Sequence, residues 1–313
     1  FVIGGLKLNQ VVLKMPEKPI NELLSTMFCN LFSRDYILKC KLVRQYTPEI
    51  QHLVNSLSKL SNDNTDAKNA LQTLTHSSRP ALVFPFIPGW SLSDLQKNNL
   101  EKVKESVMCP KFFWQMGKTI ICDFALKNRD RFSLIQEMNP GNIMVLENGD
   151  IALIDQEACS VIKSHTRHIN KFKSILKIVQ SINEETLTKS IEHASPIVEI
   201  IRNIAQILPS KLYKEVIPTR NSRPNDNTYI LKSIIVGIVE GLKILKNIDL
   251  NLFLENFCRS YGVTMQEITA NEVKTQEIHD VISLCKKLTL PKREQLSTID
   301  YEKINEYILS FSD

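Results

Sequence analysis

The sequence predicts an α+β fold in which a small, β-containing N-terminal part precedes an enlarged, mostly helical C-terminal part. Three observations predict it. Short β-branched and aromatic runs, Val11–Lys14 and Ala81–Ile87, lie early in the chain. The pair Asn148-Gly149 separates the apolar runs Ile143–Leu146 and Ile151–Ile154, a strong hairpin signal. From about residue 165 onward the apolar periodicity is almost wholly helical, with Pro209, Pro218, Pro224 and Pro291 in or beside the connections.

Taken in order, Val11–Lys14 is a strand that ends on a lysine. Gly4 and Gly5 ahead of it suit a loop whose backbone amides approach phosphate closely. A helix begins near Pro19 or Ile20, with Ile20, Leu23, Leu24, Met27, Phe28 and Leu31 on one apolar stripe. Its only carboxylate, Glu22, falls away from the centre of that stripe, where a solvent-exposed glutamate would lie. Residues 41–80 read as helical pieces broken by the polar stretch Ser61 to Asp66, and Thr75 to Pro80 is the loop into the apolar strand at Ala81–Ile87. Pro88-Gly89 then turns the chain into another helix start. Phe112–Leu126 is a strongly apolar helix. Beyond Asp155, helices are expected over about 165–182, 185–208, 227–247, 250–260, 264–286 and 299–311.

The 313 residues carry a formal net charge of +5, which suits an anionic ligand such as a nucleotide, or an acidic protein surface, without demanding nucleic acid. No RNA- or DNA-binding motif is present. The seven cysteines form no Cys-x-x-Cys and no paired Cys/His spacing. Neither a disulfide framework nor a zinc site is expected, and a reducing, cytoplasmic setting is. No signal-peptide pattern is found. The longest apolar stretch, Tyr229 to Leu245, is interrupted by Lys232, Glu240 and Lys243 and suits a buried helix better than a membrane span.

The residues that carry chemistry lie between the apolar helix and the helical tail. Asn128-Arg129-Asp130-Arg131-Phe132 is followed by Met138-Asn139-Pro140-Gly141-Asn142 and, across the hairpin, by the strand that ends at Asp155-Gln156-Glu157. The hairpin returns Asp155 towards Asn142. An amide before one strand and a carboxylate after the other can share a cation, and magnesium fits that pair. A phosphoryl-transferring enzyme needs such oxygen ligands and, in addition, a carboxylate beside the attacking hydroxyl, which Asp130 supplies. The competing reading is a plain surface hairpin with solvated carboxylates.

The order Asp, Asn, hairpin, Asp resembles the catalytic core of the protein-kinase superfamily. The run Asn-x-Asp-Arg, a loop longer than that of ordinary protein kinases by roughly Ser133 to Asn139, the Asn-Ile segment and Ile-Asp-Gln are together similar to the actin-fragmin kinase family of atypical protein kinases. The resemblance is specific over about residues 80–160 and loose elsewhere. It implies a two-lobed protein-kinase-like fold, with residues 1–88 as the N-lobe, 89–160 as the catalytic core and 161–313 as a helical C-lobe extension with a substrate-binding surface. It implies Asp130 as catalytic base with Arg131 beside it, Asn142 and Asp155 as magnesium ligands, Lys14 on the ATP phosphates and Glu22 as the carboxylate available to pair with it. The strand at Ala81–Ile87 becomes the hinge, with Phe84 as gatekeeper and adenine bonded by the Pro85 carbonyl and the Ile87 amide. Proline lacks only the donor, so it is compatible with the carbonyl position.

The implied activity is that of an ATP- and magnesium-dependent protein Ser/Thr kinase acting on actin or another folded protein. Gln156-Glu157 replaces the usual Phe-Gly, and no Ala-Pro-Glu follows, so activation-loop phosphorylation is not expected. A phosphoinositide or small-molecule kinase is the alternative, against which Phe132 stands where lipid kinases carry a His. A pseudokinase scaffold is the non-enzymatic alternative, opposed by retention of Asp130, Asn142 and Asp155. A basic run, Lys163, His165, Arg167, His168, Lys171 and Lys173, reads as a solvated helix face or as a dock for an acidic substrate.

Overall fold

The computed structural model describes residues 2–3, 11–33, 37–62, 65–76, 79–97, 101–128, 131, 139–156, 165–187, 191–208 and 228–310. Gly4, Gly5, Asp130, Phe132 and Lys163 lie outside the described residues. The fold is α+β and mostly helical, with two small antiparallel sheets.

The first sheet holds β1 (Val2–Ile3), β2 (Val11–Lys14), β3 (Lys41–Val43) and β4 (Ala81–Pro85) in the order β1-β2-β4-β3. Val12 pairs with Phe84 and Lys14 with Leu82. Because side chains alternate along a strand, Val12, Lys14, Leu82 and Phe84 share one face, and Leu13, Ala81 and Val83 share the other. Helix α1 (Pro19–Asn30) packs on the first face, where Leu82 and Phe84 join the main core. The other face is covered by α2 (Pro48–Leu60) and α3 (Thr65–His76), whose Ile50, Leu57, Ala70 and Leu74 make a second core with Leu13, Val43 and Ala81. The α2–α3 break falls where the polar stretch at Ser61 to Asp66 predicts it. Strand β3 corrects the reading of the ordered pieces of residues 41–80 as helical. Three residues are too few to show a period, and pairing with Ala81–Val83 decides their conformation.

Helix α1 decides a point that the sequence left open. Glu22 is buried, as are Asn21, Ser25 and Thr26, alongside the apolar Leu23, Leu24 and Phe28. The stripe residue Leu31 is instead exposed. A helix packed on several sides has no solvent face for amphipathic phase to locate, so the off-stripe position of Glu22 does not mean exposure.

Helices α4 (Leu92–Lys97) and α5 (Glu101–Val107) lead to α6 (Pro110–Leu126), and α7 (His165–Asn183), α8 (Ile191–Ile207) and α9 (Thr228–Asn247) follow later. The α6–α9 crossing brings two backbones into contact. A Cβ on Gly237 would stand 2.1 Å from the Trp114 carbonyl oxygen, and one on Gly117 would stand 2.4 Å from that of Ile234. Helix α9 is thus the buried helix expected at Tyr229–Leu245. Among the described residues, no helix is long and apolar enough to cross a membrane.

The second sheet, β5 (Trp90–Ser91), β6 (Ile143–Val145) and β7 (Ile151–Leu153), contains the expected hairpin. Gly149 supplies a φ of 78°, and the Leu146 amide donates to the Asp150 carbonyl at 2.8 Å. From α6, Gln115 accepts from the Ile151 amide at 2.8 Å and donates to the Asp150 carboxylate at 2.9 Å, fixing the hairpin to the helix.

The tail continues as α10 (Leu250–Tyr261), α11 (Met265–Ala270), α12 (Thr275–Lys286), α13 (Arg293–Ser297) and α14 (Tyr301–Ser310). The single helix expected over 264–286 is therefore two. Glu272 takes a left-handed φ of 60°, and the Val273 amide bonds back to the Ile268 carbonyl at 3.3 Å. Neither Gly nor Pro marks this break. Asn271 closes α11 through its side chain, whose Nδ2 donates to the Glu267 carbonyl at 2.9 Å.

Candidate active site

The last residue of β2, Lys14, projects from the face that packs on α1. Its ammonium donates to Glu22 Oε1 at 2.7 Å and also pairs with the Asp155 carboxylate. The Phe84 ring lies beneath it, with its centroid 5.8 Å from the nitrogen. One ammonium thus stands between two carboxylates, and the formal charge of the trio is −1.

Asp155 reaches this point because the chain leaves β7 through a left-handed residue. Its φ is 51°, uncommon for a residue with a side chain but tolerated by Asp, and it turns the carboxylate out of the strand line. The carboxylate is half exposed. Asn142 ends a single 3-10 turn, Pro140–Asn142, that Asn139 caps by accepting from the Gly141 amide at 3.1 Å. The Ile154 amide donates to the Asn142 carbonyl at 3.1 Å, so the residue before Asp155 is tied directly to Asn142. The hairpin thereby brings the two expected metal ligands to one end of the ribbon.

Between the two sheets lies an open cleft of about 530 Å3, a figure that includes solvent at its mouth. Val12 lines it from the first sheet, Met144 and Ile154 line it from the second, and the segment Phe84–Ile87 forms its edge. Lys14, Glu22 and Asp155 supply its charged part. Strand β3 pairs with β4 only as far as Val83, so Phe84 and Pro85 extend beyond it.

No family model and no curated protein matches the chain.

Arg131 faces inward. It is fully buried, and its Nε donates to both Asp123 carboxylate oxygens at 3.1 and 3.0 Å. Its Nη1 donates to Gln156 Oε1, and its Nη2 contacts Asp123 and, at 3.8 Å, Cys29 Sγ. Burial raises the Asp123 carboxyl above its usual range although Arg131 pulls it down. Burial likewise lowers the guanidinium, but Asp123 more than offsets this and holds it well above its usual value. Arg131 is not among the residues lining the cleft and is tied instead to Asp123 and Gln156. Asp130 lies outside the described residues, while Asn128 before it donates its amide to the Asp123 carbonyl at 2.9 Å.

Sequence reasoning did not single out Gln156 or Cys29 as part of this site. Gln156 is fully buried and accepts from Cys29 Sγ at 3.2 Å as well as from Arg131. It links α1 to the residues around Asp130. The signal available was its adjacency to Asp155.

The basic run is not one solvated face. His168 is buried, with Nε2 2.8 Å from the Phe124 carbonyl and its ring 5.2 Å from the Phe124 ring, and Lys171 pairs with Glu199 at 3.5 Å. Lys163 and the side chains of His165 and Arg167 lie outside the described residues.

Proposed function

We propose that the protein is an ATP- and magnesium-dependent phosphotransferase of two-lobed, protein-kinase-like architecture that transfers phosphate to Ser or Thr of a folded protein. Actin is the substrate that the sequence resemblance implies. The observation that carries this reading is the convergence of Lys14, Glu22 and Asp155 beside an apolar cleft.

The donor set fits a magnesium-bound polyphosphate. Among the described residues no three His, Cys, Asp or Glu side chains gather into an all-protein metal cage. Asp155 and Asn142 would hold magnesium through one carboxylate and one amide oxygen, an incomplete protein ligand set of the kind magnesium-nucleotide sites use. The −1 charge of the Lys14 trio favours a divalent cation, and Lys14 offers an ammonium to the phosphates while Glu22 holds it in place. When bound, magnesium supplies charge neutralisation at the phosphate oxygens. The apolar walls at Val12, Met144 and Ile154 suit a purine, with Phe84 as gatekeeper and the Pro85 carbonyl and Ile87 amide as its polar contacts. Asp130 receives the proton of the attacking hydroxyl, and Arg131 secures the segment that carries it. A reducing, cytoplasmic setting suits the free, buried thiols of Cys29 and Cys122.

Titration calorimetry with ATP, with and without magnesium, tests the site. Wild type binds MgATP, and Asp155→Ala loses the magnesium-dependent part of the affinity. Asp130→Asn keeps binding while turnover of labelled ATP falls by at least about 100-fold, the scale of a lost acid–base group. Unchanged MgATP affinity in Asp155→Ala would refute the metal assignment. Binding without any turnover in wild type would turn the reading to a scaffold, and lipid products without protein products would turn it to a lipid kinase.

A further inference from the structure

Helix α1 begins without a cap of its own. Lys18 stands at the N-cap position and makes no side-chain hydrogen bond to the first turn, leaving amides that helix geometry cannot satisfy internally. The acceptor comes from far along the chain. Asn271 Oδ1 accepts from the Ile20 amide at 3.2 Å, and the Asn271 carbonyl accepts from Asn21 Nδ2 at 3.2 Å. Asn21 is itself buried, and Glu22 is the next residue.

Asn271 is held firmly enough to act as an anchor. It terminates α11, whose other end is tied to the first sheet. Arg44, just after β3, donates to Glu267 at 2.8 Å and to the Gly262 carbonyl at 2.9 Å. Glu267 also completes a capping box with Thr264. Helix α11 therefore spans from the sheet that carries Lys14 to the first turn of the helix that carries Glu22. Two further contacts hold α1 from the same side: the Tyr261 hydroxyl lies 2.9 Å from Met27 Sδ, and Phe253 packs edge-on against Phe28 with centroids 5.6 Å apart.

We propose that Asn271 is a positioning residue that caps α1 from outside the helix and thereby holds Glu22 against Lys14. The arrangement gives the chain a built-in means of keeping this ion pair formed, and its role in phosphate transfer rests on the function proposed above. Sliding or rotating α1 away from Lys14 would expose the Ile20 amide and break the bond to Asn21, so the cap opposes the displacement that separates the pair.

The test uses the ligand-free protein, so its outcome is independent of nucleotide binding. The rate at which acetic anhydride modifies Lys14 is followed by mass spectrometry. Asn271→Ala should accelerate modification by about fivefold, the population change that a lost helix cap permits. Glu22→Gln should accelerate it comparably, and the double variant should react no faster than the quicker single one. Asn21→Asp provides a second route should Asn271→Ala not fold. It removes the donor to Asn271, and it too should accelerate modification. Wild-type rates in both Asn271→Ala and Asn21→Asp would overturn the proposal, as would an acceleration by Asn271→Ala that is equally large in the Glu22→Gln background. Failure of MgATP to bind wild type would instead strike the proposed function and leave these rates unaffected.

Discussion

Asp123 shows how a residue's role depends on its partner. The sequence shows only a lone carboxylate on an apolar helix. In the fold it is the counter-ion of a fully buried Arg131, which binds Gln156 and Cys29 through its other nitrogens. Removing one member of such a pair leaves a charge in low dielectric with nothing to offset its lost hydration. Asp123→Asn is therefore expected to destabilise the protein by about 3–5 kcal/mol, read as a fall in the denaturant midpoint. Replacing Asp123 and Arg131 together by Leu and Met should recover most of that stability without restoring turnover. A midpoint in Asp123→Asn equal to wild type would show that the pair is not the buried anchor described.

At the scale of elements, two contacts are decided by features that leave little trace in hydropathy. The α6–α9 crossing depends on Gly117 and Gly237, whose missing side chains let one backbone touch the other. Gly237→Ala places a methyl 2.1 Å from a carbonyl oxygen and should cost about 1–3 kcal/mol through overpacking, measured by urea unfolding. The α11–β3 contact depends on Arg44 and Glu267. The Arg44 hydrogen bond, assisted by the Thr264 backbone, holds the Glu267 carboxyl below its ordinary value of 4.5. Its folded value is thus lower than its unfolded one, so its contribution is complete above pH 4.5 and is lost as the pH falls through the folded value. The stability gap between wild type and Glu267→Gln should be constant from neutral pH down to about 5 and shrink below about 4. A gap that instead changes between pH 6 and 8 would assign it to another group.

At the scale of the molecule, the tail beyond Asp155 does more than extend the chain. Helices α10 and α11 reach α1, and α12 pairs Glu277 with Lys127, the left-handed residue that ends α6. The helical half therefore braces both the ion pair at Lys14 and the end of the helix that leads to Asp130. The proposed recognition of a folded protein follows from such an enlarged surface, where contacts remote from the hydroxyl contribute orientation at the reacting atoms. A folded target should then be phosphorylated with a much higher kcat/KM than its isolated acceptor peptide. Equal values would remove the argument for a docking surface.

The sequence by itself determined the features with short-range causes. Asn148-Gly149 dictates the hairpin because Gly149 accepts a positive φ, and the hairpin in turn brings Asp155 beside Asn142. Apolar periodicity located α1, α6 and α9, and the β-branched run ending at Lys14 is a strand. Only tertiary structure decided that Glu22 is buried and paired, because the burial of a helix face depends on what packs against it. The same holds for the partners of Arg131 and for the end of α11 at Asn271, which is set by local bonds and used by a helix some 250 residues away in sequence. Period and propensity describe neighbours along the chain, whereas each of these contacts joins residues that only the folded backbone brings together.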